Sequence, residues 1–412
     1  MYLLKKFHGE RFNKFNTIIS NLHHHLTEQI NLIGSSTLPF PEICQATSLP
    51  GAAVRVEGII GKRYFPATEP LDNAESLAVE GIRRIFSIDC DYEINIQPHS
   101  ATQANHAIWK AILKPGDTVI GLSINDGGHI SHSLGLPFEV SFQSIPVNSE
   151  GIDYGQAQEL IRDVNPKMVI VGSSSYPLAI DYPALSDFTR GLGIHLHADI
   201  AHTAPFVAGG QHPNVFPYAD SVTVDTGKNL RGPKGGILIY RKSISQAINR
   251  SIFPLTQSSP NQSAMIAKAC LFEIWTEEMM RAYSKKLIED SRLLSSCLRD
   301  AGIPIVYDTT DSHLILINTI EIGLTGKQAE NILMDNKILS NRNSIPSESL
   351  NPLIASGLRI GTSTLTILNY EKADIISLAN CISSILLRNK PVKSNIEVLV
   401  EKYHRRTTKL SD

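Results

Sequence analysis

The chain has 412 residues, 42% of them hydrophobic and 19% charged, a globular composition with length enough for a large domain and a smaller one. Lys and Arg number 38 against 40 Asp and Glu, a formal net charge of -2, so no basic excess exists to neutralise a nucleic-acid backbone or an anionic lipid surface. Nucleic acid and membrane are thereby set aside as default partners.

Residues 1–45 mix basic, His and apolar residues, with helical spacing at Phe15, Ile18, Ile19, Leu22 and Leu26, and read as an N-terminal arm that docks on another surface. The consecutive His23, His24 and His25 would fan apart on a helix and not converge on one metal. MYLLKKFHGERF is too short an apolar run for a secretory leader, and no later segment approaches ~18 uninterrupted apolar residues. The five cysteines (Cys44, Cys90, Cys270, Cys297, Cys381) lie far apart with no C-x-x-C pair, which argues against a disulfide framework or zinc knuckle. A soluble cytoplasmic protein with reduced core thiols is expected.

From about residue 95, short apolar runs alternate with helical stretches. TQANHAIWKAILK (102–114) predicts a helix, DTVIGL (117–122) and KMVIVGS (167–173) strands, PALSDFTRGLG (183–193) a helix, and IHLHAD (194–199), SVTVDT (221–226) and GGILIY (235–240) strands. That rhythm is the α/β signature of a mainly parallel sheet with helices on both faces, whose sites sit at the carboxyl ends of strands. A helical stretch over 261–302 follows. Strand-like IPIVY and HLILIN, a helix near 325–336, GLRIGTS and a helix at 370–388 then suggest a separate α+β domain.

The window from Asp199 to Gly236 carries the most chemistry. Lys228 follows a β-rich run and precedes a Gly/Pro loop, so its amine stands where a cofactor aldehyde could be captured; a solvated loop charge is the bland alternative. Asp199 ends a strand among mostly apolar neighbours, an expensive place for a carboxylate unless it meets a cation such as a protonated pyridine nitrogen or caps a loop. His202 could reach a ring oxygen or be a satisfied core histidine. Ser100, Ala101 and Thr102 open a helix with free N–H groups and two hydroxyls, an anion site or an ordinary N-cap. His129 follows two glycines, which suits laying an imidazole over an aromatic ring or simply a turn. Arg359, among small residues in SGLRIGTS, could grip a substrate carboxylate with its fork or form a structural ion pair.

Taken in order, INLIGSS, EGIIGKRYF, NIQPHSATQAN, KPGDTVIGLSINDGGHISH, HADIAHTAPFVAGG, TGKNLRGPKGG and NRNSIP with SGLRIGTS resemble serine hydroxymethyltransferase from about Ile30 to about Leu387. The resemblance implies an α/β, fold-type-I pyridoxal 5'-phosphate (PLP) enzyme. Its expected parts are the arm (1–45), a large PLP-binding domain with a mainly parallel mixed sheet (46–280) and a smaller C-terminal α+β domain (281–412). It implies a homodimer or dimer of dimers with shared active sites, an amino acid substrate, and tetrahydrofolate as cosubstrate. By position, Lys228 becomes the Schiff-base lysine, Asp199 the partner of the pyridine nitrogen and His129 the residue stacked on the ring. Ser100, Ala101 and Thr102 hold the phosphate, and Ser174 and His202 approach the phenolic oxygen. Arg359 and Ser35 bind the substrate carboxylate, Glu57 manages protons at the β-hydroxyl and the folate, and Asn343 contacts folate.

The departures are concentrated on the substrate side. Arg55 and Phe65 stand where the family has tyrosines, Gly227 replaces the histidine before the lysine, and the threonine run before it reads TVDT. Leu255, Thr256, Ser258 and Ser259 replace glycines of a partner-contacting loop, and Ser36 replaces a glutamate. The cofactor set is nearly complete while the reaction-tuning set is altered, which points to a paralogue that makes or breaks a Cα–Cβ bond. Three readings follow: hydroxymethyl transfer on an unusual amino acid, a folate-independent β-hydroxy amino acid aldolase or transaldolase, and a PLP-binding protein with little catalysis.

Overall fold

A computed structural model describes residues 2–388 and 392–411. The chain divides into two compact units, 37–285 and 1–36 with 286–412. These limits fall near, not on, the expected 45/46 and 280/281.

The larger unit is organised by a seven-stranded sheet. Its strands in chain order are β1 (Tyr92–Asn95), β2 (Thr118–Gly121), β3 (Ser141–Ser144), β4 (Met168–Gly172), β5 (His195–Asp199), β6 (Ser221–Asp225) and β7 (Gly236–Arg241). They lie in the order β1-β7-β6-β5-β4-β2-β3. Every neighbouring pair from β6 to β3 is parallel, and β7 alone runs against both its neighbours. All five residues of β4 are buried, as a strand covered on both faces requires, whereas edge strand β3 is mostly exposed and reads SFQS.

Helix α1 (Ala101–Ile112) packs Ala104, Ala107, Ile108 and Trp109 on Val119, Ile170 and Leu238 of the sheet. It starts where Ser100, in extended conformation, accepts a hydrogen bond from Gln103 N at 3.1 Å through its side chain. The expected continuous helix over 261–302 is two, α2 (Gln262–Ile274) and α3 (Glu277–Asp300). Trp275 breaks it with extended backbone, because its indole N–H donates to Leu230 O at 2.9 Å and its ring meets Phe40 edge-on.

The second unit holds a three-stranded antiparallel sheet of β8 (Leu314–Asn318), β9 (Asn341–Asn343) and β10 (Gly357–Gly361), with β10 central. IPIVY does not form the expected strand. Only Ile305 bridges to Ile317, since Pro304 has no N–H to give and Tyr307 and Asp308 turn the chain at φ 64° and 57°. The N-terminal residues belong to this unit: Tyr2–Lys5 pairs in parallel with Thr408–Ser411, and Ile30–Asn31 with Ile338–Leu339. Ile30 and Leu32 are fully buried in its core beside Ile315 and Ile360.

Candidate active site

The carboxyl ends of β5 and β6 open on a cavity of about 290 Å³ lined by Ser100, Ala101, Thr102, His129, Asp199, His202 and Lys228. Seven residues singled out from the sequence are therefore brought together. Ser173, Ala201, Asp225 and Lys234 complete the lining. Ser174 does not line it; its neighbour Ser173 does, and Ser174 N donates to Gly127 O at 2.9 Å.

Asp199 is 6% exposed and hydrogen-bonded through both oxygens. Its Oδ2 accepts from Asn105 Nδ2 at 2.8 Å and lies 2.9 Å from His132 Nε2, and its Oδ1 accepts from Ala201 N at 3.0 Å. Burial opposes its ionisation, but the His132 hydrogen bond and charge, Asn105 and the Lys228 ammonium outweigh that and hold the carboxyl well below the usual range. His129 is oriented by the same group of residues. Ser131 N (3.2 Å) donates to its Nδ1 and Ser131 Oγ lies 2.7 Å away, while Ser131 Oγ accepts from Asn105 Nδ2 at 3.0 Å. A bare Nδ1 puts the ring proton on Nε2.

Lys228 is carried by a loop fastened at both ends. Thr226 N donates to Gly235 O at 3.0 Å, Thr226 Oγ1 to Pro233 O at 2.6 Å, and Gly232 N to Thr226 O at 2.8 Å. Gly227 N donates to Asp225 Oδ1 at 2.8 Å, and a Cβ at 227 would stand 2.9 Å from Lys234 Cα, so the loop excludes a side chain there unless it shifts. Burial raises the Asp225 carboxyl, with Lys228 opposing. Behind the loop, fully buried Lys268 donates to Ile96 O (2.5 Å), Gly236 O (2.8 Å) and Pro98 O (3.3 Å). Burial pushes its amine down to about 7, against Asp225 and Glu75. A Cβ at Gly236 would meet Ser100 O at 2.4 Å, so only glycine lets β7 approach the start of α1.

The remaining candidates are not among the residues that line this cavity. Arg55 is exposed, Phe65 is 39% exposed, and Glu57 is half-buried with Oε1 accepting from Ser259 Oγ at 2.8 Å. In the second unit Ser35 is exposed and Asn343 Nδ2 donates to Ser344 O at 2.6 Å. Arg359 is buried in β10, where Nε donates to Asn341 Oδ1 at 3.1 Å and a Cβ at Gly34 would lie 3.3 Å from that Nε. Burial pushes its guanidinium down to about 10, which leaves it charged at neutral pH. Sequence reasoning missed Asn105, His132, Asp225, Lys234 and Lys268. For Asp225 the alternation S-V-T-V-D, polar on one face of an interior strand, was the available signal, and the other four stand in no such run.

PLP needs an anion site, a carboxylate held ionised away from water and an amine within one pocket. This cavity has the first-turn N–H groups of α1, which by geometry lack intrahelical acceptors, together with Asp199 and Lys228. Fold and site define a fold-type-I, PLP-dependent enzyme. The family model described as serine hydroxymethyltransferase matches residues 10–382. Curated proteins named serine hydroxymethyltransferase from Bordetella avium and from Coprothermobacter proteolyticus are each 34% identical, over 387 residues (93% of this chain, 92% of the relative) and 378 residues (90% of each) respectively. The chain belongs to the serine hydroxymethyltransferase family, whose enzymes are PLP-dependent transferases with tetrahydrofolate as cosubstrate. Among the described residues, no helix is long and apolar enough to cross a membrane, and no cluster of His, Cys, Asp and Glu could hold a metal ion.

Proposed function

We propose that the chain makes or breaks the Cα–Cβ bond of an amino acid by hydroxymethyl transfer, with a substrate that carries an anionic group beyond its α-carboxylate. The observation that carries the reading is the buried Asp199 carboxylate, kept ionised on the cavity floor that Lys228 also lines.

Lys228 Nζ would be the amine for the PLP aldehyde, the first turn at Ser100, Ala101 and Thr102 would hold its phosphate, and Asp199 would pair with its ring nitrogen. His129 would contact the ring, and His202 with Ser174 or its neighbour Ser173 would attend the phenolic oxygen. Bound there, PLP supplies an electron sink for the pair left on Cα. The chain's own residues decide which bond is released. Arg359, with Ser35, grips the α-carboxylate through a rigid fork and so disfavours its loss. Glu57, oriented by Ser259, moves the proton of the β-hydroxyl. Arg55 adds a cation where the resemblance leads one to expect a neutral phenol. We also propose a cytoplasmic location and a homodimer or dimer of dimers, the latter supported by the exposed Leu255 in the loop that the resemblance assigns to partner contact. Asn343 is the proposed folate contact.

A second reading, folate-independent aldol cleavage of a β-hydroxy amino acid, is favoured by Phe65, whose ring has no hydroxyl with which to handle protons. The test is to load the purified protein with PLP and record its visible absorbance with glycine, serine, threonine and anionic analogues, with and without tetrahydrofolate. The reading expects folate-dependent turnover of an anionic amino acid and loss of the borohydride-trapped adduct in Lys228→Ala. Aldehyde release from threonine without folate favours the second reading, and an unchanged adduct in Lys228→Ala defeats both.

A further inference from the structure

In β5, side chains at 195, 197 and 199 share one sheet face, because side chains alternate along a strand. The facing register on β6 pairs His197 with Ser221 and Asp199 with Thr223. An interior parallel strand covered on both faces is ordinarily apolar throughout, so a stripe of two imidazoles, two hydroxyls and a carboxylate calls for an explanation.

Its hydrogen bonds form one unbroken line. His195 Nε2 lies 2.7 Å from Ser221 Oγ, which lies 2.7 Å from His197 Nδ1. His197 Nε2 lies 3.2 Å from Asn105 Oδ1, and Asn105 Nδ2 donates to Asp199 Oδ2 at 2.8 Å. Thr223 Oγ1, at 3.3 Å, is a second neighbour of His197 Nε2. The far end, His195, lines a second cavity of about 300 Å³ together with Lys167, Arg190 and Asp220.

The direction of the line is set by one charge. An ionised carboxylate only accepts, so Asn105 turns its N–H groups to Asp199 and its Oδ1 to His197. That oxygen requires a proton on His197 Nε2. A neutral ring then has a bare Nδ1, so Ser221 donates to it, and Ser221, with a single proton, accepts from His195 Nε2. His197 must be neutral for this, whereas His195 needs only its Nε2 proton. Burial pushes His197 down to about 3, with Asp199 opposing and His195 and His132 reinforcing, and His195 down to about 4, with Asp220 opposing and Lys167 reinforcing.

We propose that His195, Ser221, His197 and Asn105 form a directed hydrogen-bond relay from the second cavity to Asp199, acting as positioning residues that hold its negative charge for the cofactor's ring nitrogen. The proposal rests on reading Asp199 as that partner. Each link donates toward the carboxylate, so each polarises the next and all stabilise the same charge.

Nitrogen-15 NMR of the histidine-labelled full chain, before PLP is added, is expected to show His195 and His197 at pH 7 as neutral Nε2–H tautomers. An Nδ1–H tautomer at either position, or a charged ring at His197, overturns the relay, whether or not PLP binds. In the PLP-loaded protein, Ser221→Ala and His197→Phe are expected to move the pH midpoint of the visible absorbance by roughly half a unit or more and to weaken PLP retention about threefold to tenfold. His197→Gln, which keeps a donor toward Asn105, is expected to restore most of both. An unchanged midpoint in Ser221→Ala, with only a lower melting temperature, reduces these residues to core packing and sinks the proposal. A wild-type chain that takes up no PLP while both rings remain neutral Nε2–H tautomers fails the cofactor reading and leaves the relay standing.

Discussion

At the cavity floor and just behind it, Asp199 accepts three hydrogen bonds and Lys268 donates three, all in the buried interior. In the segment around 55–65, Arg55 is exposed, Phe65 is partly exposed and the Glu57 carboxylate takes a hydrogen bond from a serine hydroxyl. Each floor residue satisfies others that have no access to water, so replacing one strands its partners. Residues in solvent carry no such obligation. Groups proposed to face substrate can therefore be exchanged more cheaply than groups proposed to hold the cofactor, and the departures at Arg55 and Phe65 fall on exposed or partly exposed side chains.

The contrast can be broken by stability measurements. Lys268→Met, which removes the ammonium donor from the buried carbonyls of Ile96, Pro98 and Gly236, of which Pro98 O keeps the Gly236 N–H, is expected to cost about 3–5 kcal/mol in urea unfolding. A cost under about 1 kcal/mol would show the floor to be no more constrained than the surface. Gly227→His crowds the Lys234 backbone, and about 1–3 kcal/mol of lost stability is expected, with reduced PLP uptake. Acid titration sharpens the picture further. Between about pH 6.5 and 3 an unfolded chain protonates His197 while the folded one does not, so stability falls as pH falls, by about 1.4 kcal/mol per unit. His197→Phe is expected to lower the slope of that limb by this amount while His195 continues to contribute above about pH 4, and an unaltered slope would contradict the neutral buried ring. Arg55→Ala is expected to leave stability within about 0.5 kcal/mol, while lowering kcat/KM about tenfold for an anionic substrate relative to a neutral one.

Much of the fold was legible because interior parallel strands announce themselves: MVIVG is buried throughout and reads as an apolar run. Strand β3 was not legible, since an edge strand needs no apolar face. IPIVY misled for the opposite reason, with apolar residues but a proline and two left-handed positions. The pairing of Tyr2–Lys5 with Thr408–Ser411 joins the two ends of the chain and leaves no local pattern. At the site, Lys228, Asp199, His129 and the start of α1 could be marked because strand ends and helix starts are local features. Asn105 and Lys268 stand inside helices and His132 in a short helical turn, so their spacing alone is silent. Ser174 and Ser173 differ by one residue in a turn, finer than sequence spacing resolves.

Lys268 ties the end of β1, the approach to α1 and the start of β7 to a single ammonium. These are the segments that present the first-turn N–H groups and brace the loop of Lys228. Order in this berth thus comes with folding and does not wait for the cofactor. PLP arriving from solution has little chain to organise, so the entropy that binding must give up is mainly its own.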